Sequence, residues 1–262
     1  MLQIFGLYGA TGSGKDTVAD FIAERARAAG MKADVFKFAA PVYELSAVIL
    51  GTTVEKLGER ETKEIPQWFY VSQEALERAH VTFCNYGLDR WEDFSYAWSR
   101  FEERHLTKYM SDISGENKAE DILYAVYISP REMLQIIGTE FGRELLHQDV
   151  WLKTLMHSIE ESQVDLAIVS DMRFPNEGAM IIESNDPANG LVTSSIHVIR
   201  PTNELLTKHQ HISNQVMDVK YLKHRMLNDS TLEDLKCLAV DFTEDVIIGN
   251  YEEFQALSGS DE

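Results

Sequence analysis

The apolar and polar positions of the chain divide it into alternating strand-like and helix-like segments. Leu2-Gln3-Ile4-Phe5-Gly6-Leu7-Tyr8 is a short apolar run with branched and aromatic residues, which suits a buried strand. Val18, Phe21, Ile22, Ala26 and Ala29 then recur at helical spacing, and Gly30 stands where that helix would be capped. Ala33 to Phe38 reads as a second strand, and Pro41 restricts the backbone before a helix from about Val42 to Leu50. Strand and helix alternating in this way form the first βαβ unit of an open parallel sheet.

The pattern changes from Gly51 to about Ile128, where charged, mostly helical periodicities carry many aromatic residues and no clear strand. A segment of this length is too large for a simple crossover and is expected to be a helical insertion. Its aromatics (Trp68, Phe69, Tyr70, Trp91, Phe94, Tyr96, Trp98, Phe101) are expected to pack as core rather than to stack on bases. The stretch Ser111 to Asp121 reads as a solvated loop.

A marked helix follows. Ser129 and Glu132 have the spacing of a capping box with Pro130 in the first turn, and Met133, Ile136, Ile137, Phe141 and Leu145 form an apolar face. A helix opened by Trp151 runs to about Glu161, and strands are expected at Asp165 to Asp171, Ser195 to Ile199 and Arg225 to Asn228. The last strand leads to a helix from Asp229 or Ser230 to about Val240, and the acidic tail from Tyr251 is expected to fray. Thr202 to about Lys223 is polar and weakly periodic and reads as a lid; His209 and His211 within it lack a third ligand at metal-binding spacing. The expected architecture is α/β: three layers around a central, mostly parallel five-stranded sheet, in one domain. Its core would be 1–50 and 129–250, with a helical substrate-binding insertion at 51–128 and a lid at about 201–223.

Composition narrows the class. At 262 residues the chain can bury a full core, and 44% hydrophobic with 26% charged residues is ordinary for a globular protein. No run approaches a membrane span and no signal core opens the chain, so the expected location is the cytoplasm, the host cytoplasm for a viral protein. Cys84 and Cys237 stand far apart without a metal-binding pattern. A formal charge of −19, from 24 basic and 43 acidic residues, argues against a nucleic-acid polymer as ligand. A small anion held by a few arginines remains compatible with it.

The chemistry gathers at Gly9-Ala10-Thr11-Gly12-Ser13-Gly14-Lys15-Asp16-Thr17, between the first strand and the first helix. That context is the one a phosphate-binding loop requires. Glycines free backbone N–H groups to meet an anion, the helix N-terminus adds positive potential, and Lys15 supplies a mobile charge for terminal phosphates. The position after the lysine is normally Ser or Thr bound to Mg²⁺. Here it is Asp16, with the hydroxyl one place later at Thr17. Either Asp16 reaches the metal, through water, or Thr17 takes a displaced version of that role; the plainer alternative is that Asp16 only favours the positive end of the helix.

Two other segments belong to the same chemistry. Asp171 ends a strand and Arg173 follows it, so both should face the crevice beyond the carboxyl ends of the sheet, with Asp171 as a second metal anchor or as the cap of the next helix. On the helix after Ser129, Arg131, Gln135, Thr139 and Arg143 recur every four residues, with Gly138 and Gly142 between them. Two glycines inside a helix cost about 1 kcal/mol each, so something is expected to approach closely: a neighbouring backbone, or a monophosphate and its sugar gripped by the paired arginines.

In this order, the chain resembles the bacteriophage deoxynucleoside monophosphate kinases, a branch of the P-loop nucleoside monophosphate kinases. The likeness rests on Gly14-Lys15-Asp16-Thr17, Phe38-Ala39-Ala40-Pro41, Arg131-x3-Gln135-x2-Gly138-Thr139, Trp151 and Asp171-x-Arg173. It continues in His197-Val198-x-Arg200-Pro201, His211-Ile212-Ser213, and Asn228-Asp229 before Leu232-Glu233. An Asp after the loop lysine is usual in that branch. Tyr43 stands where the family often has lysine and Asn214 where it often has an acid, differences that bear on substrate selectivity.

The resemblance implies transfer of the γ-phosphoryl of ATP to a deoxynucleoside 5′-monophosphate. Gly9, Gly12, Ser13, Gly14, Lys15, Asp16 and Thr17 would hold the ATP phosphates, and Asp16, Thr17 and Asp171 would hold Mg²⁺. Arg131 and Arg143 would hold the acceptor phosphate, with Gln135 and Thr139 near sugar or base and Phe38 and Trp151 completing the acceptor site. Lys15, Arg173 and Arg200 would meet the charge that develops in transfer. The expected partners are these two nucleotides, with no membrane, and with monomer and homodimer both open. The alternatives are a kinase of another small phosphorylated acceptor, such as phosphomevalonate or dephospho-coenzyme A, and an ATP-binding switch module that is not a kinase.

Overall fold

The computed structural model describes residues 1–85, 91–111, 122–201 and 217–258. In chain order its elements are β1 (Leu2–Tyr8), α1 (Lys15–Ala28), β2 (Ala33–Phe36), α2 (Ala40–Ile49), α3 (Val54–Gly58), β3 (Gln67–Ser72), α4 (Gln73–Cys84), α5 (Trp91–Phe101), β4 (Met110–Ser111) and β5 (Ile122–Ile128). They continue with α6 (Pro130–Ile136), α7 (Val150–Ser162), β6 (Leu166–Met172), α8 (Pro175–Glu183), β7 (Leu191–Ile199), β8 (His224–Leu227), α9 (Leu232–Phe242) and α10 (Gly249–Ser258). The chain divides into two compact units, one of residues 1–38 with 159–262 and one of residues 39–158.

The first unit is built on a five-stranded sheet in the order β2-β6-β1-β7-β8, with every pair parallel. Strand β1 lies at the centre, with Phe5 opposite Ile168 on one side and Ser194 on the other. Because successive side chains alternate between faces, Phe5 and Leu7 pack on one face with Val18 and Ile22 of α1 and Leu235 and Ala239 of α9. Gly6 points to the opposite face, where Ile181 of α8 reaches the sheet. Helices therefore cover both faces, and the strands read as continuous apolar runs, as parallel strands buried on both sides do. The α/β expectation and its five strands are as observed, and the sheet is wholly parallel.

Its tail differs from expectation. Gly249 to Ser258 is helical rather than frayed, with Phe254 close to Gly190, and residues 259–262 lie outside the described residues. Of the polar stretch read as a lid, residues 202–216, with His209 and His211, lie outside the described residues. Of that stretch, Val219–Tyr221 forms one tight helical turn.

The second unit takes in more of the chain than the 51–128 expected for the insertion, and it is not simply helical. Strands β3, β5 and β4 form an antiparallel sheet in that order, with Phe69 opposite Val126. The alternation in Gln67–Ser72 is the physical cause: Phe69 and Val71 turn inward, while Trp68 and Tyr70 stay about half exposed on the other face. The unit's core joins Leu45 and Ile49 of α2 to Phe83, Phe94, Trp98, Phe101, Ile137 and Phe141. The rings of Phe94, Trp98 and Phe101 each meet Phe141, with centroids 5.3 to 5.6 Å apart. Aromatic packing as core thus holds for these residues, whereas Trp68, Tyr70 and Tyr96 are exposed. The Ser111 to Asp121 loop lies outside the described residues except for the strand end at Ser111.

Helix α6 begins as expected, with the Ser129 hydroxyl accepting the Glu132 N–H at 3.2 Å and Pro130 in the first turn. The capping box is only half made, because the Glu132 carboxylate accepts from the Tyr109 hydroxyl instead of returning to Ser129. Beyond Ile136 the helix widens into π turns from Ile137 to Leu146. The indole N–H of Trp151 donates to the Gly138 carbonyl at 2.7 Å, and the Trp151 ring lies where a Cβ on Gly142 would stand. A carbonyl drawn to an outside donor is a recognised cause of such local widening. At Gly142 the close approach comes from a side chain of the same unit, that of Trp151, and not from a neighbouring backbone.

Candidate active site

In the first unit the candidate residues gather at the carboxyl ends of the parallel strands. The chain leaves β1 through the glycine loop and enters α1 at Gly14, whose φ of 97° is left-handed. A side chain there would also meet the amide of Asn228, and a Cβ on Gly9 would collide with the Val198 carbonyl. The loop is thus held against the ends of β7 and β8. Asn228 is nearly buried, and its amide donates to the Ser13 carbonyl at 2.8 Å while its backbone N–H donates to Ile199 at 2.7 Å. Ser13 is fully buried, with its N–H on the Ala10 carbonyl and its hydroxyl unpartnered among the described residues.

Lys15 folds back on its loop, its ammonium donating to the carbonyls of Gly9 at 2.6 Å and Ala10 at 2.9 Å. Burial and the neighbouring Arg173 guanidinium lower its pKa, against the opposing pull of Asp16 and Asp171. Asp16 accepts a hydrogen bond from the Ser170 hydroxyl at 3.1 Å and pairs with the Lys37 ammonium at 2.8 Å. Partial burial works to raise the Asp16 carboxyl; the bond and charge of Lys37, with Ser170 and Lys15, outweigh it and bring the pKa below its ordinary value. Thr17 is half-buried in the first turn of α1.

Asp171 sits one residue before the end of β6 and accepts the Phe38 N–H at 2.7 Å. Phe38 itself is buried. Arg173 is exposed on the turn after β6, and that turn is shaped by Glu177, which is buried and accepts the N–H groups of Arg173 at 2.7 Å and Phe174 at 2.9 Å. Arg200 is exposed immediately after β7. Lys15, Asp16, Asp171 and Arg173 are therefore electrostatic neighbours, as read from their positions at strand ends.

Lys37, Ser170, Glu177 and Asn228 were given no site role by the sequence reading. Lys37 carries no motif of its own. Ser170 looks like one more small residue in a buried strand. For Glu177 a signal existed, an acid just after a Pro at a helix start, which is where a carboxylate satisfies free N–H groups.

The donor set suits magnesium. Asp16, Thr17 and Asp171 offer hard oxygen ligands, and among the described residues no group of three acidic, histidine or cysteine side chains is arranged to enclose a metal. A few protein oxygens completed by water and phosphate is the arrangement Mg²⁺ takes in nucleotide sites.

In the second unit Arg131, Gln135 and Thr139 are exposed and Arg143 is half-buried. Arg131 forms an ion pair with Glu64, and its N–H donates to the Lys63 carbonyl at 3.0 Å. The four-residue spacing spans two geometries, since Arg131 and Gln135 lie on α turns and Thr139 and Arg143 on the wider ones. Trp151, placed with the acceptor site by resemblance, is buried against Gly142.

Comparison with known proteins places the chain in a family. The family model for deoxynucleotide monophosphate kinase matches residues 75–238. The deoxynucleoside-5′-monophosphate kinase of Escherichia phage T5 is 44% identical over 230 residues, covering 87% of this chain and 90% of that protein. The chain belongs to the deoxynucleotide monophosphate kinase family.

Proposed function

We propose that this protein transfers the γ-phosphoryl group of ATP, with Mg²⁺, to a deoxynucleoside 5′-monophosphate, releasing ADP and the deoxynucleoside diphosphate. The observation that carries the reading is the electrostatic proximity of Lys15, Asp16, Asp171 and Arg173 at the carboxyl ends of the parallel strands, in a chain of this family. Phosphoryl transfer of this kind needs little covalent help from the protein, so positioning and charge neutralisation dominate.

The backbone of Gly9 to Thr17 would cradle the ATP phosphates, and Lys15, already poised on carbonyls of the loop, would exchange them for phosphate oxygens. Asp16, Thr17 and Asp171 would hold the magnesium ion, directly or through water; bound there, it neutralises charge on the β- and γ-phosphates. Arg173 and Arg200 would meet the negative charge that develops as the phosphoryl group moves. Arg131 and Arg143 would hold the acceptor phosphate, with Gln135 and Thr139 toward sugar and base. No general base is needed, since the acceptor phosphate is already an anion. In this reading residues 39–158 are the acceptor-side part of a single P-loop kinase.

The test is direct. Protein, ATP and Mg²⁺ are mixed with each of the four deoxynucleoside monophosphates and ADP is measured. At least one acceptor is expected to raise ADP release well above the acceptor-free control, and no stimulation by any of the four would overturn the proposal.

A further inference from the structure

Lys37 lies in the short link after β2, and neither the loop pattern nor the acceptor stripe includes it. Its ammonium is 2.8 Å from Asp16 Oδ1, the same oxygen that accepts the Ser170 hydroxyl at 3.1 Å. The pair is largely exposed, and an exposed pair alone contributes little. This one is not alone. Asp20, one turn further along α1, and Asp171, at the end of β6, also act on Lys37 electrostatically. The adjoining backbone is fixed as well, because the N–H of Phe38 is held by Asp171 at 2.7 Å. One carboxylate thus contacts the ammonium, and two more, one on the same helix and one on β6, act on it electrostatically, on a segment whose backbone is pinned.

We propose that Lys37 is a positioning residue that serves as a tethered counter-cation for the metal-side carboxylates, holding Asp16 in place and competing with the divalent ion for it. This rests on the reading of Asp16 as a metal-side ligand. Without Lys37, Asp16, Asp20 and Asp171 would repel one another at the mouth of the loop. With it, the Asp16 carboxylate is held by Lys37 and Ser170 before a nucleotide arrives. A divalent ion at Asp16 must displace the ammonium or share the carboxylate with it, so Lys37 sets the metal affinity of the site.

The experiment measures Mn²⁺ binding to the whole protein in the presence of ADP, by the electron paramagnetic resonance signal of free Mn²⁺. The proteins compared are the parent, Lys37→Met, Lys37→Arg and Asp16→Asn, each checked for folding by thermal melting. Lys37→Met is expected to bind Mn²⁺ about tenfold more tightly than the parent, since a repelling and competing charge is removed. Lys37→Arg restores the charge and should return affinity to within about twofold of the parent. Asp16→Asn should bind Mn²⁺ more weakly. If Lys37→Met leaves affinity unchanged or lowers it while Asp16→Asn weakens binding, the counter-cation role is overturned and the metal reading stands. If Asp16→Asn binds Mn²⁺ as the parent does, the metal reading fails and the proposal with it.

Discussion

The side-chain amide of Asn228 donates to the carbonyl of Ser13 at 2.8 Å, joining the end of β8 to the phosphate loop across 215 positions of sequence. Asn228→Ala leaves the Ser13 carbonyl without this donor and opens space beside Gly14. The expected result is a KM for ATP raised about tenfold, with the KM for the acceptor little changed. Loss of a nearly buried hydrogen bond should also lower stability by about 1–3 kcal/mol, read from urea unfolding.

Lys15 and Arg143 should fail in different ways. Lys15→Ala removes the mobile charge of the loop and is expected to lower kcat by about a thousandfold or more. Arg143→Ala should chiefly raise the KM for the deoxynucleoside monophosphate, by about ten- to a hundredfold. Steady-state kinetics in both substrates checks this. Equal ATPase activity with and without acceptor in both variants would count against the assignments.

Trp151 connects the widened helix to the second unit's core. Trp151→Ala is expected to cost about 3–5 kcal/mol, because a buried indole leaves a large cavity beside Gly142. Trp151→Phe keeps most of the ring but loses the bond to the Gly138 carbonyl, for about 1 kcal/mol. Thermal melts of the two variants should rank in that order. Unchanged stability in Trp151→Phe with a raised acceptor KM would give the indole a binding role in place of a packing one.

His224 titrates lower than an ordinary histidine because it is partly buried, with its ring against Phe242 at 5.0 Å. The folded protein therefore holds its proton less readily than the unfolded chain, and stability rises with pH in this window. The contribution is complete above the unfolded value of about 6.5 and declines as pH falls toward the lower folded value. Replacing His224 with Phe should flatten the urea-midpoint profile over that window, compared with the parent protein.

The parallel core was legible because its strands are continuous apolar runs and its loop obeys narrow backbone chemistry; Leu2 to Tyr8 and Gly9 to Lys15 admit few other readings. The antiparallel sheet was harder to see. Within Gln67–Ser72 the four central positions, Trp68 to Val71, are all apolar or aromatic, so the period of two that marks a half-exposed strand is hidden by the exposed Trp68 and Tyr70. The site divides along a similar line. Residues defined by local spacing, such as Lys15, Asp16 and Asp171, could be found, whereas Lys37, Ser170 and Asn228 act through neighbours 21 to 215 positions away, which no local pattern encodes. Gly142 was singled out correctly as a place of close approach, but the approaching group was a tryptophan nine positions on.

The order of the sheet has a consequence for how the protein is made. Among the described residues strand β2 pairs only with β6, and β1 only with β6 and β7, so these two strands have no strand partner until residue 166 has been synthesised. Residues 39–158 are contiguous and can collapse on their own core while that opening segment waits. Long-range parallel pairing of this kind forms slowly. The strands that frame the phosphate loop therefore lack their pairing partners through more than half of the chain's synthesis, and the bond from Asn228 to Ser13 is among the last contacts of the loop to become available.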